Sequence, residues 1–316
     1  MALGSRWSLA TTSHGHTMKR VAFLWVFIAA CADRKTPNIT PESPSVGPSA
    51  ITSNSSAVSP MATRVWDDAL GPLVVTPAID GSQTLAFVRD TAAGTEVVVD
   101  LFSHDERTAT GTLQIGPAIG GCNWLRQTRL LSGPKTESPT VWSLALAPGT
   151  ATALGVTAVA DLAPKDSSAL IVRINKLVSA LPDDSTSAPF RGLPVTVRDA
   201  WQVQLPGGTT VIAAIATRAL NVESNPRADV VTLLAESEGT AKSTASWRTV
   251  FTRRDAGPEE TVSGADLLAA LVLADGRPIF VFVRETDRGP HIEFVERQSP
   301  GDWRLRWTTT SLPCVR

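Results

Sequence analysis

The chain has 316 residues, 29 basic against 30 acidic side chains, a net charge of −1 and no tyrosine. Residues 1–30 hold Arg6, Lys19 and Arg20 and no acid, so the remainder is more negative still. That balance argues against a nucleic-acid binder, which needs a basic face to displace phosphate counterions. The lack of tyrosine excludes chemistry built on a tyrosine nucleophile.

In chain order, residues 1–17 carry no apolar run and read as an upstream start, with Met18 the expected true start. Residues 18–31 read MKRVAFLWVFIAAC: a basic pair, ten apolar residues at 21–30, and small residues before a cysteine. This is the three-part layout of a secretory signal over 18–30. The run is too short to cross a bilayer core as a helix, which takes about 20 residues. Ile28-Ala29-Ala30-Cys31 resembles the lipobox of bacterial lipoproteins. The resemblance implies diacylation of the Cys31 sulfur, cleavage before it and a membrane-anchored mature N-terminus. Two or more acyl chains hold a protein stably where one does not. Aspartate directly after the cysteine would imply retention at the inner membrane. Here Ala32 follows and Asp33 comes second, so the outer membrane is the preferred location.

Residues 31–62 are dominated by Pro, Ser, Thr, Asn and Gly. They bury too little to offset their ordering entropy, which predicts a lipidated, disordered tether. Of the three cysteines, lipidation removes one and leaves Cys122 and Cys314 as the candidate disulfide in an exported chain. Two separate buried thiols are the alternative.

From residue 63 to 316 the texture is all-β. Residues 73–75, 85–88 and 96–102 are short β-branched runs bounded by turn residues. Asp80-Gly81 sits between the first two as a hairpin signal. The clearest unit is C-terminal: apolar runs at 267–273, 278–283, 291–295 and 303–307, with turns at Asp275-Gly276 and 299–302. In the last run Trp303, Leu305 and Trp307 alternate with Arg304 and Arg306, the period of a strand with one buried face. Four short strands in about 45 residues is the size of one propeller blade. The run ADGRPIFVFV to HIEFVERQSPGDW resembles the repeat of bacterial β-propeller proteins. That resemblance implies an irregular propeller-like domain of four to five blades. Weaker copies start at Gly208 and Gly81, and a fourth lies within 139–181. Leu170, Ile174, Leu177, Val178 and Leu181 fall at helical spacing, so that stretch reads equally as helix or strand. The Leu- and Ala-rich stretch 265–274 is expected to be a strand from its place in the repeat.

Chemistry-bearing motifs are absent: no H-E-x-x-H, C-x-x-C, phosphate-binding glycine loop or G-x-S-x-G occurs. His104 lies in a polar turn, and His291, at the start of a strand, is expected to be structural. The acid pairs Asp67-Asp68, Asp183-Asp184 and Glu259-Glu260 read as solvated turns, because glycosidases need carboxylates facing each other across a bond. Propellers also host sialidases, but those use tyrosine and a repeated Asp-box, and this chain has neither. Past the signal lie Trp66, Trp124, Trp142, Trp201, Trp247, Trp303 and Trp307. They are expected mainly in the core, with ring buried and N–H at the rim.

The expectation is a lipid-anchored envelope protein, anchored at Cys31 and needing no cofactor, catalytic residue or metal. Its domain is a non-enzymatic binding or scaffold module with an envelope protein as partner. A carbohydrate-binding module using exposed tryptophans is one alternative. A hydrolase whose acids converge only in the fold is the other.

Overall fold

The computed structural model describes residues 66–309 apart from 67, 78–83, 105, 121, 134–141, 222–224, 239–245 and 287–288. The signal, Cys31, the tether, the Asp80-Gly81 turn and Cys314 lie outside these residues. The described residues are all-β with one α-helix. They all belong to a single unit of the chain.

The first six strands are β1 (Leu73–Pro77), β2 (Thr84–Val88), β3 (Glu96–Phe102), β4 (Arg107–Ile119), β5 (Cys122–Ser132) and β6 (Leu144–Leu146). They close into an antiparallel barrel in the order β1-β2-β5-β4-β3-β6. Strands alternate faces, and the barrel shows it plainly. Leu73, Val75, Ala86, Val99, Leu101, Leu113, Ile115 and Ala145 meet in one interior cluster. The opposite parity, Val74, Phe87, Leu144 and Leu146, packs outward.

Two short strands follow, β7 (Ala151–Ala153) and β8 (Val156–Ala158), and then helix α1 (Pro164–Ser179). Pro164 opens the helix, where its missing N–H costs nothing. Leu170, Ile174 and Val178 are its buried face, so the helical reading of this stretch is the one realised. Next come β9 (Thr196–Gln204), β10 (Thr210–Leu220), β11 (Arg227–Glu238) and β12 (Ser246–Pro258). With β8 they form a five-stranded sheet whose order follows the chain. The last four, β13 (Ala265–Leu273), β14 (Pro278–Thr286), β15 (Gly289–Ser299) and β16 (Asp302–Thr308), form a second meander on the edge of β7. The 265–274 stretch is thus a strand, as its place in the repeat predicts.

The two meanders share a strand order and the hydrogen-bond pattern of one turn. In each, a leucine opens the turn and a positive-φ glycine closes it: Gly208 N–H donates to the Leu205 carbonyl, and Gly276 N–H to that of Leu273. The glycine is the fourth residue of the turn, with φ of +89° and +87°. Among the described residues Asp90 alone takes positive φ without being glycine. Asp275 therefore does not, and the loop is a type I turn with a glycine bulge rather than type I′. The stretch expected as a fourth copy does not form such a unit. Its strands β6, β7 and β8 go to three different sheets, and α1 follows.

The layers stack in a definite sequence. On β14, Ile279, Val281 and Val283 pack with the barrel's outer residues, while Phe280 and Phe282 pack against Val211, Ala213 and Leu234 of the other sheet. The far face of that sheet, with Ile212, Ala214, Val231 and Leu233, receives α1. The C-terminal sheet is therefore covered on both faces, which is why PIFVFV is apolar at every position.

The final strand departs from simple alternation. The register slips between Phe294 and Val295, which pair with Trp307 and Leu305, leaving Arg306 as the extra residue. Trp303 and Leu305 consequently pack toward the neighbouring meander, and Trp307 toward the barrel. The preceding turn is closed by Gly301 at φ +75°, where an added Cβ would meet the Arg248 guanidinium of β12. The Gly301→Ala variant should be less stable by about 1–2 kcal/mol, the usual cost of left-handed backbone in an L-residue. Chemical denaturation checks this. An Arg248→Ala background should leave most of the loss in place, because the guanidinium can move and the φ cannot.

Candidate functional site

All seven tryptophans past the signal pack against a core cluster. Trp303 and Trp307 are buried and the others half-buried. The core expectation therefore holds for their packing, but two of them also wall an open cleft. It has a volume of about 580 Å³ and is lined by Trp66, Trp124, Arg89, Asp90, Thr91 and Arg126, with Val88 and Ala92. That is within the roughly 300–1,000 Å³ usual for small-ligand sites.

The two indoles are held from behind. Trp66 donates its Nε1–H to the Gly71 carbonyl at 2.6 Å. Its ring lies edge-on to Trp307 with centroids 5.3 Å apart. Trp124 lies parallel on Phe87 at 5.9 Å. Phe87 points out of the barrel because it has the parity of Val74, so strand alternation places this aromatic stack. Arg89 continues β2 and is paired with Asp68 of a short 3-10 turn. Asp90, at φ +55°, follows it, and its carboxylate is 94% exposed.

The interior charges lie elsewhere and are consumed in ion pairs. Between the two meanders, Glu293 accepts from His291 Nε2 at 3.0 Å and from Arg284 Nε at 3.3 Å, and is paired with Arg253. Arg284, only 2% exposed, also donates to the Ser263 carbonyl and to Thr232 Oγ1. Burial pushes the Glu293 carboxyl up. The His291 hydrogen bond and the charges of Arg284 and Arg253 outweigh this and hold it below the usual carboxylate range. Burial pulls the Arg284 guanidinium down. On the other side of Leu234 along β11, Glu236 accepts from Trp303 Nε1, Arg297 Nε and the Gly301 N–H. An apolar centre is thus bounded by two polar clamps.

A third cluster corrects an expectation. Asp183 is not a solvated turn residue: its side chain is 12% exposed and pairs with Arg191, Arg218 and Arg254. Arg218 and Arg254 also grip Asp229, which is fully buried, and burial raises that carboxyl despite them. The reason is tertiary: the turn after α1 folds onto the sheet and places Asp183 above β10 and β12. Asp184 does behave as a turn residue. Hydrogen bonds from Thr186 and Ser187 lower its pKa and close the turn. Glu259, Glu260 and His104 are exposed, and Asp67 lies outside the described residues. His291 is buried in the Glu293 cluster, as a structural residue would be.

Each interior carboxylate named here is held by guanidinium groups, and none of them lines the cleft. Asp90 is the one carboxylate among the described lining residues. Glycoside hydrolysis by the usual route needs two. Cys122 is buried at the start of β5. Among the described residues, no group of three or more His, Cys, Asp or Glu is placed to hold a metal ion.

Sequence reasoning missed Arg89, Asp90 and Arg126, since single charges just past β2 or on the polar face of β5 carry no signal. The Glu293 cluster did leave one: Arg284 stands in phase with Phe280 and Phe282, a charge where the pattern calls for a core residue. No protein-family model matches the sequence, and neither a characterised protein nor a solved structure is significantly similar to it.

Proposed function

We propose that this chain is an exported, lipid-anchored cell-envelope protein whose folded part is a non-enzymatic binding module, with the Trp66–Trp124 cleft as its site. The observation that carries the binding reading is the pairing of pre-set aromatic walls with a polar rim, while the carboxylates of the interior are engaged by arginine. Sites of this kind bind by shape and a few placed polar groups. Anchoring through Cys31 follows from the lipobox and needs no spanning helix. The propeller-like reading is supported by two meanders that share a strand order and pack face to face, with the barrel as the neighbouring layer. A Cys122–Cys314 bond would tie the chain end to β5.

Full-length protein expressed from Met18 should enter the detergent phase on phase partitioning, and the Cys31→Ala variant should stay aqueous. If both forms stay aqueous, the lipid anchor is wrong. Peptide mapping of the same preparation without reductant should recover Cys122 linked to Cys314, and two free thiols would dismiss the bond. Crosslinking in intact envelopes from a photoreactive residue at position 92, on the cleft rim, should trap a ligand or partner. An absence of adducts there would sink the binding-module reading.

A further inference from the structure

Resting on that binding-module reading, we propose that the cleft between Trp66 and Trp124 is a subsite for a neutral pyranose sugar of an oligosaccharide.

A pyranose presents two kinds of surface: an apolar face of C–H groups and a ring of hydroxyls that each donate and accept. The cleft offers a complement to both. Indole faces are electron-rich, so they attract the slightly positive C–H face of a sugar. Trp66 and Trp124 are fixed by the Gly71 carbonyl, Trp307 and Phe87, so little freedom is lost when a ligand arrives. At the rim, consecutive residues supply a planar donor and a planar acceptor, Arg89 and Asp90. Vicinal hydroxyls can bond both, because a guanidinium only donates and a carboxylate only accepts. Thr91 and Arg126 extend the polar edge.

The charge pattern favours a neutral sugar over an acidic one. Arg89 is already paired with Asp68, and Asp90 stands beside it. An anionic ligand would meet the Asp90 carboxylate and gain little from Arg89, already neutralised, so that of the lining cations only Arg126 would favour it. A purely apolar ligand would strip water from Asp90 and Arg89 without replacing their hydrogen bonds. A hydroxyl-rich, uncharged ring satisfies all of these groups.

The test is titration calorimetry of the full-length protein in detergent micelles. The probes are neutral β-1,4-glucan, α-1,4-glucan and N-acetylglucosamine oligomers, beside an oligogalacturonate of equal length. At least one neutral series should bind. Asp90→Ala and Trp124→Ala should each weaken it by about tenfold or more, a difference calorimetry resolves. Asp90 is exposed but left-handed, so Asp90→Ala should lower the unfolding midpoint by a few degrees at most, and binding read well below both midpoints separates lost binding from lost fold. Binding of the oligogalacturonate alone would overturn the neutral class. Glycan binding unchanged in Asp90→Ala would place the sugar site elsewhere and overturn the assignment. No heat with any glycan, from protein of native melting behaviour, would also overturn it. Envelope crosslinks at the cleft would then leave the wider binding-module reading standing.

Discussion

Replacing Glu293 by Gln is expected to lower stability by roughly 3–5 kcal/mol, the usual cost of removing one partner from a buried ion pair. At about 2–4 °C per kcal/mol for a domain this size, the unfolding midpoint should fall by roughly 10 °C. The size of the effect comes from what remains. Arg284 is 2% exposed and would keep only neutral acceptors, the Ser263 carbonyl, Thr232 Oγ1 and the new glutamine amide oxygen. Its charge would have no counter-ion within hydrogen-bond reach among the described residues. Arg253 is more exposed, so Arg253→Ala should cost much less. The double variant Glu293→Leu/Arg284→Met should recover much of the loss, since a buried pair is often no better than well-packed apolar groups. If Glu293→Gln melts like the wild type, the cluster is not closed as described. The same carboxylate gives a pH dependence. Its folded pKa lies below its unfolded value, so it contributes stability above that unfolded value, about 4.3, and loses it as pH falls through the folded one. Acid should therefore narrow the gap between wild type and Glu293→Gln, as melts taken at successively lower pH would show.

The parts of the fold that were legible in the sequence are those made by neighbours in the chain. The C-terminal meander could be read because its four runs pair with the next run along, and Gly276 and Gly301 mark the turns. The barrel could not. Its closure depends on β2 pairing with β5 and β1 with β6, contacts that leave no local periodicity. The bulge at Arg306 was equally hidden: alternation put Trp303 and Trp307 on one face, and the extra residue sent them to opposite ones. Asp183 looked solvated because its partners Arg218 and Arg254 arrive from strands far along the chain. The cleft shows the same limit most sharply. Trp66 and Trp124 each look like ordinary core tryptophans, and only the tertiary fold brings them into one lining with Arg89 and Asp90.

Trp307 joins these levels, and its two replacements should behave very differently. The side chain is fully buried, touching Trp66 and Phe294 at centroid distances of 5.3 and 5.4 Å, in the cluster shared by barrel and C-terminal sheet. Trp307→Ala removes the whole ring and should cost about 3–5 kcal/mol, again roughly 10 °C in the midpoint. Trp307→Phe should cost far less than the loss of area implies. The indole Nε1–H has no hydrogen-bond partner among the described residues, and an unsatisfied buried donor already costs about 1–3 kcal/mol. Phenylalanine removes that donor while keeping a ring against Trp66 and Phe294, so the two terms oppose. A Trp307→Phe loss as large as that of alanine would mean that the N–H is in fact bonded, and that the polar accounting at this barrel-facing position is wrong. The consequence reaches the cleft as well. Trp66 rests its edge on Trp307, so the alanine variant should release that wall and weaken ligand binding even at temperatures where the fold persists. The phenylalanine variant should bind nearly as the wild type does. Calorimetry on the two variants side by side therefore separates a wall held rigid by the core from one that merely happens to line an opening.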